Sequence, residues 1–210
     1  DNKADIGFGF DGDGDRLIMV DHKGNEVDGD DILWVLSNNH LRYRNMVGVV
    51  NTVMSNGALS DLLAEKKINT VTVGVGDQHV MRALKEHNLL IGAEPSGHIL
   101  PLDACSMGDG IIAGILVLET MLVTGKRLCE LSLPHRYGQI KGNIDLSPEL
   151  NQEVLKEKIR AFADDLHHSV RSVIRFSGTE PKLRYLFESE RADLKSIEEQ
   201  FRSSCLLGRE

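Results

Sequence analysis

The chain has 210 residues, 41% of them hydrophobic and 27% charged, which is the make-up of a water-soluble globular protein with room for one large or two small cores. A formal net charge of −8 argues against nucleic acid as the partner, because a phosphate backbone needs a basic surface. It leaves open a small anionic ligand held by a few arginines in one cleft. Cys105, Cys129 and Cys205 are far apart and lack metal-site spacing, so free or buried thiols in a reducing cytoplasm are expected. The longest apolar run, Ile111–Val123, is too short for a membrane span and carries Glu119, and no signal peptide is evident. Neither membrane nor nucleic acid is an expected partner.

The chain begins at Asp1 without methionine and enters a strand, Ile6–Phe10, within a few residues, so a piece of a longer protein is expected. Asp11-Gly-Asp-Gly-Asp-Arg16 follows that strand. Gly12 and Gly14 let the backbone turn, so that Asp11, Asp13 and Asp15 converge on one hard cation, Mg²⁺ or Ca²⁺ rather than zinc. Arg16 directly beside them suits a shared anionic partner such as a phosphate. An EF-hand is excluded, since its sixth and twelfth positions would be Arg16 and His22. Three readings stay open: a dehalogenase-type phosphatase with Asp11 as nucleophile and Asp13 as acid, a Mg²⁺ site serving phosphoryl transfer from a group elsewhere, and a plain solvated acidic turn.

Leu17–Val20 is a second strand, followed by a turn at His22–Asn25. Asp28-Gly-Asp-Asp31 offers caps for a helix with Ile32, Val35 and Leu36 on one face. Strands at Val47–Val50, Thr70–Val73 and Leu89–Gly92 then alternate with helices through Leu59–Leu63, over Gln78–Asn88 and over Gly110–Thr124. That alternation predicts right-handed crossovers and a mostly parallel sheet. Asn51–Asn56 ends one strand and could line a cleft, although capping by Ser55 or Asn56 accounts for it, and Asp109 reads as a helix cap. Asp77 and His79 end another strand and are lesser cleft candidates. Glu94-Pro-Ser-Gly-His98 lies beyond the third of these strands, where open α/β sheets bind ligands. Glu94 and Ser96 suit vicinal sugar hydroxyls, and His98 could donate to a hydroxyl or phosphate, although His98 taken alone reads as a satisfied histidine in a polar loop.

Beyond Leu133-Pro134 the pattern becomes a strand at Gln139–Leu146, a helix over Pro148–Leu166, strands at Val170–Phe176 and Leu183–Glu188, and a helix from Ala192 to about Cys205. Two strands joined by a short loop predict an antiparallel pair in a small α+β domain. That loop, within Arg175-Phe-Ser-Gly-Thr-Glu-Pro181, reads as an anion nest or as a plain hairpin turn. In the first reading Gly178 makes the turn, Ser177 and Thr179 add hydroxyl donors, Arg175 forks a phosphate, and Arg184 approaches from the facing strand.

Taken in order, Phe10–Arg16, Glu94–His98 and Arg175–Pro181 resemble the metal, sugar-recognition and phosphate-binding loops of the α-D-phosphohexomutase family, over Asp5 to about Glu190. Asn51–Asn56, Val75–Asp77 and Gly108–Gly114 point to its phosphoglucosamine branch. The chain departs from that branch at Gly74, where lysine is usual, at Gln78 and His79, where Arg-Tyr is usual, and at Pro95. The resemblance implies a mixed, mostly parallel α/β domain followed by a small α+β C-terminal domain, with the tail of another α/β domain at the N-terminus. Its boundaries are 1–28 for the end of the family's second domain, 29–132 for the third and 133–210 for the fourth.

The same resemblance implies interconversion of glucosamine 6- and 1-phosphates through a phosphoserine and a sugar 1,6-bisphosphate. It implies Mg²⁺ on Asp11, Asp13 and Asp15, and Arg16 at the transferring phosphoryl group. Glu94, Ser96 and His98 would hold the sugar, while Arg175, Ser177, Gly178, Thr179 and Arg184 hold the second phosphate. The family's serine motif, of Thr-Ala-Ser-His-Asn-Pro type, does not occur here, so the missing N-terminal domains are implied partners and a homodimer is left open.

Overall fold

The computed structural model describes residues 3–147, 152–178 and 180–206. The chain divides into two compact units, Asp1–Arg136 and Tyr137–Glu210.

The first unit opens with an antiparallel sheet, β1 (Ile6–Phe10), β2 (Leu17–Asp21) and β3 (Glu26–Val27), in that order. Pairing of Phe10 with Leu17 leaves residues 11–16 as the connecting loop. Asp21 closes the following turn by accepting from the Lys23 and Asn25 amides. Leu17, Met19 and Val27 point into the main core, so this sheet is built onto the rest of the unit.

Helix α1 (Gly29–Asn39) starts on a reciprocal cap: Asp28 accepts from the Asp30 and Asp31 amides, and Asp31 accepts from the Asp28 amide. The periodicity predicted one apolar face, yet Gly29 through Ser37 are all buried. Contacts with other elements on several sides explain this, because a helix enclosed all round buries its polar residues too.

The second sheet has the order β5 (Asn69–Val73), β4 (Gly48–Thr52), β6 (Ile91–Ala93), β7 (Ile99–Pro101). β4 pairs in parallel with β5 and with β6, as the alternation predicted, and β6 pairs antiparallel with β7. Neither β7 nor β3 was expected from the sequence, and the predicted strand at Leu89 begins only at Ile91. Asn56 caps α2 (Gly57–Glu65), and α3 (Asp77–Glu86) follows β5. Gly92 is required inside the sheet, since a Cβ there would lie 2.6 Å from Val80 and 2.9 Å from the Val50 carbonyl. Asp109 caps α4 (Gly110–Thr124), which ends on left-handed Gly125, and the short α5 (Leu128–Leu131) follows. On α4, Ile111, Ile115 and Leu122 are exposed on one stripe. Among the described residues no helix is long and apolar enough to cross a membrane.

The second unit is an antiparallel sheet in the order β8 (Gly138–Asp145), β10 (Lys182–Ser189), β9 (Arg171–Phe176), with α6 (Gln152–Asp165) and α7 (Leu194–Leu206). Tyr185, Phe187, Phe162 and Phe201 pack as tilted and edge-on rings in its aromatic core. The start of the predicted helix at Pro148–Asn151 lies outside the described residues.

Candidate active site

The acidic loop, the Glu94–His98 loop and the start of α4 are joined first by main chain. Leu17 N–H donates to the Gly97 carbonyl at 3.0 Å, Arg16 pairs with His98 as an isolated antiparallel bridge, and Gly110 N–H donates to the Gly14 carbonyl at 3.0 Å. Gly97 has φ +95° and lies so close to β2 that a Cβ would stand 2.5 Å from the Leu17 carbonyl. Glycine is required there on both counts.

The side chains follow that frame. Asp11, Asp13 and Asp15 each present an oxygen within 4.8 Å of the others. The Oδ1 atom of Asp15 is buried and has no hydrogen-bond partner. Three oxygen donors with one such orphaned acceptor fit a hard divalent cation. Arg16 curls back onto the loop: its amide donates to Asp11 Oδ1 at 3.2 Å and its Nε lies 3.2 Å from Asp11 Oδ2. Desolvation pushes the Asp11 carboxyl up, but the Arg16 amide and guanidinium outweigh it and hold the group below the usual carboxylate range. Among the described residues the terminal nitrogens of Arg16 make no hydrogen bond, so that edge of the guanidinium is available to an anion.

His98 lies between two carboxylates, with Nε2 2.8 Å from Asp15 Oδ2 and Nδ1 3.5 Å from Glu94 Oε1. With Nε2–H given to Asp15, the Arg16 Nε at 3.4 Å is a neighbour rather than a donor. Glu94 is buried, and its Oε2 accepts from the Gly76 amide at 3.0 Å. That bond brings the turn after β5, with φ +123° at Gly76, alongside the loop after β6. Ser96 is exposed at the loop tip. The carboxyl ends of β5 and β6, which flank β4 in the parallel part of the sheet, thus converge where ligands bind in open α/β sheets.

The structure separates the remaining sequence candidates. Asp77 and His79 are exposed in the first turn of α3; Asp77 accepts from the Gln78 amide, and the His79 ring lies over Gly74 and Gly76. Asn51 faces the interior, tied to Thr72 and Ser60, and is a packing residue. In the second unit Arg175 and Arg184 are direct cross-strand partners on one sheet face. Like charges placed so are destabilising unless an anion joins them. Arg184 also holds Glu180 at 2.8 Å, whereas Arg175 has no carboxylate partner among the described residues. Hydrogen bonds from Lys182 and then Arg184 hold the Glu180 carboxyl below its ordinary value. Ser177 N–H closes the hairpin onto the Lys182 carbonyl, Gly178 is exposed, and Thr179 lies outside the described residues. Sequence reasoning missed the Gly76 amide as a partner for Glu94; the Gly-Asp start of α3 was its only local sign.

The acidic loop and Arg16, carried by the antiparallel sheet, thus lie against the buried Glu94 carboxylate at the carboxyl end of a mainly parallel α/β sheet. The family model described as phosphoglucomutase/phosphomannomutase, alpha/beta/alpha domain III, matches residues 28–137, and the corresponding C-terminal domain model matches residues 141–204. The chain belongs to the phosphoglucomutase/phosphomannomutase family. It is 42% identical over 192 residues to a phosphoglucosamine mutase of Buchnera aphidicola, covering 89% of this chain and 42% of that protein. It is 42% identical over 197 residues to the phosphoglucosamine mutase of Yersinia enterocolitica, covering 91% and 44%. The structure of a phosphoglucomutase/phosphomannomutase family protein from Burkholderia thailandensis superposes with TM-score 0.77 at 26% identity, over 96% of this chain and 46% of that one. An N-acetylglucosamine-phosphate mutase in its substrate complex shares the fold, with TM-score 0.71 at 18% identity, over 96% and 48%. The chain therefore spans less than half the length of these relatives.

Proposed function

We propose that the protein to which this chain belongs is a cytoplasmic phosphoglucosamine mutase, interconverting glucosamine 6-phosphate and glucosamine 1-phosphate. The observation that carries this reading is the run of contacts from Asp11 through Arg16, Asp15 and His98 to Glu94, supported by 40–42% identity to proteins of that name. Residues 1–28, 29–132 and 133–210 would be the end of the second domain, the third and the fourth.

Asp11, Asp13 and Asp15 would hold Mg²⁺, which neutralises charge on the transferring phosphoryl group when bound. Arg16 takes the same group with the free edge of its guanidinium. Glu94 and Ser96 hold ring hydroxyls, and His98 fixes Glu94 relative to the acidic loop. Arg175, with Ser177, Gly178, Thr179 and Arg184, grips the phosphate that is not reacting. The phosphoryl group moves from a serine elsewhere in the protein to the free sugar hydroxyl, giving a sugar 1,6-bisphosphate, and the other phosphate returns to serine. Positioning and charge neutralisation then supply most of the rate. Asp11 is poorly placed as a phosphatase nucleophile, since Arg16 engages both its oxygens.

The test is kcat/KM of the complete reading frame on glucosamine, glucose and mannose phosphates with Mg²⁺. Preference for glucosamine phosphate is expected. Preference for glucose or mannose phosphate would assign the family's other specificity and trace it to Gly74, Gln78, His79 and Pro95. The purified 210-residue chain alone is expected to show no turnover, and robust conversion by it would sink the proposed serine donor.

A further inference from the structure

The first turn of α1 touches three parts of the first unit at once. Gly29 approaches the sugar-type loop so closely that a Cβ there would lie 1.9 Å from the Glu94 carbonyl and 3.3 Å from the Gly97 nitrogen. Its own N–H points to the Pro95 carbonyl at 3.5 Å. Asp30 Oδ2 accepts from the Asn56 amide at 2.8 Å, anchoring the segment between β4 and α2. Asp28 and Asp31 clamp Arg136 at 2.6 and 2.7 Å, and Asp31 also accepts from the Leu133 amide at 2.9 Å.

Within this turn, capping is complete without Asp30, because Asp28 and Asp31 share it. Asp30 is nonetheless 1% exposed, its Oδ1 has no hydrogen-bond partner, and the Arg136 guanidinium stays 3.9 Å away. A buried carboxyl group satisfied on one oxygen only is costly in either protonation state. Helix stability does not account for its presence.

We propose that Asp30 is a positioning residue for the sugar loop. It locks the first turn of α1 to the β4–α2 segment, and that turn, through Gly29, sets the backbone of Glu94–Gly97. The Glu94 carboxylate is thereby held in register for ring hydroxyls. This rests on the phosphosugar reading of the site above. The consequence is specific: loosening Asp30 acts first on the Glu94 carboxylate and weakens sugar binding more than it slows phosphoryl transfer, because the acidic loop keeps its own turn and its bond to Gly110.

The experiment compares Asp30→Ala, Asp30→Ser and Asp30→Asn in the complete protein, by kcat and KM for glucosamine phosphate. Asp30→Ala is expected to raise KM by about 10-fold or more with kcat changed less than about 3-fold, the mark of lost ground-state binding. Asp30→Asn keeps an oxygen for the Asn56 amide and is expected to hold KM within about 3-fold. An ordinary KM in folded Asp30→Ala, or an Asp30→Asn as impaired as Asp30→Ala, overturns the proposal. Should the alanine variant not fold, the serine variant carries the comparison, and an ordinary KM there overturns it equally. Amide exchange separates this inference from the enzymatic reading. The Glu94 and Gly97 amides, bonded to the His98 and Glu94 carbonyls, should exchange faster in Asp30→Ala or Asp30→Ser than in wild type, even if no phosphohexose is turned over. Unchanged exchange would overturn the positioning role by itself.

Discussion

His98 lies between Asp15 and Glu94: one ring nitrogen is 2.8 Å from the carboxylate of the acidic loop and the other 3.5 Å from the carboxylate of the Glu94–His98 loop. A group that orients a metal-binding carboxylate typically tunes metal affinity about 10- to 100-fold. His98→Ala in the complete protein is therefore expected to raise the Mg²⁺ concentration for half-maximal turnover by about 10-fold. A Mg²⁺ titration checks this, and an unshifted midpoint would leave His98 as a loop-packing residue only.

Asp13 is exposed and makes no hydrogen bond among the described residues. Asp13→Ala should hardly alter folding yet abolish metal-dependent turnover. Activity and a melting curve on one preparation give the answer; retained turnover would show the loop to be structural.

Removing Arg175 would leave Arg184 as the one arginine of that cross-strand pair for the proposed phosphate. A charge-assisted contact of about 1.5–3 kcal/mol is lost, so KM should rise about 10- to 100-fold. The sheet itself should be slightly stabilised, since two arginines no longer face each other across β9 and β10. A raised KM with an unchanged or higher melting temperature is the expected pair of readings, whereas an unaltered KM would remove Arg175 from the site.

Burial, and next the neighbouring Asp28 charge, push the Asp30 carboxyl up to about 7, against hydrogen bonds that pull it down. Between its ordinary 3.8 and about 7 the folded state keeps a proton that the unfolded chain has released. The sign follows: the contribution of Asp30 to stability is greatest below that window and is lost as pH rises through it. Asp30→Asn, which cannot ionise, should gain on wild type by roughly 2–4 kcal/mol between pH 4 and pH 8. Urea midpoints of both proteins at the two ends test this, and parallel pH profiles would contradict it.

Gly97→Ala meets a left-handed backbone and the Leu17 carbonyl 2.5 Å from the new Cβ. A loss of at least ~2 kcal/mol in stability is expected, visible as a lowered thermal midpoint. An unchanged midpoint would mean that the β2 contact yields easily.

The three loops were legible because their chemistry is local: Gly12 and Gly14 between aspartates, Gly97 before His98, and Gly178 after Ser177 each announce a turn with donors or acceptors on it. The parallel pairing of β4 with its neighbours followed from alternation of period and length. β3 and β7 stayed hidden because two and three residues are too few to show a period, and β7 ends in a proline. The enclosure of α1 was hidden because Asp30 and Asp31 read as its wet face. Arg136 meets Asp31 across 105 residues, and no local pattern foretells such a pair.

The ties between the acidic loop, the sugar-type loop and the start of α4 run through the main chain: Leu17 to Gly97, Arg16 to His98, Gly110 to Gly14. Bonds of that kind require glycine at 97 and 110, where a Cβ would meet the Leu17 and Arg16 carbonyls, but place no demand on the side chains at 95 and 96. A substitution at the exposed Ser96 can thus change the tip of the loop while the frame beneath it stays in place. In a frame wired in this way the tip of the loop and the bonds that carry it are separate parts, so one can be exchanged without dismantling the other.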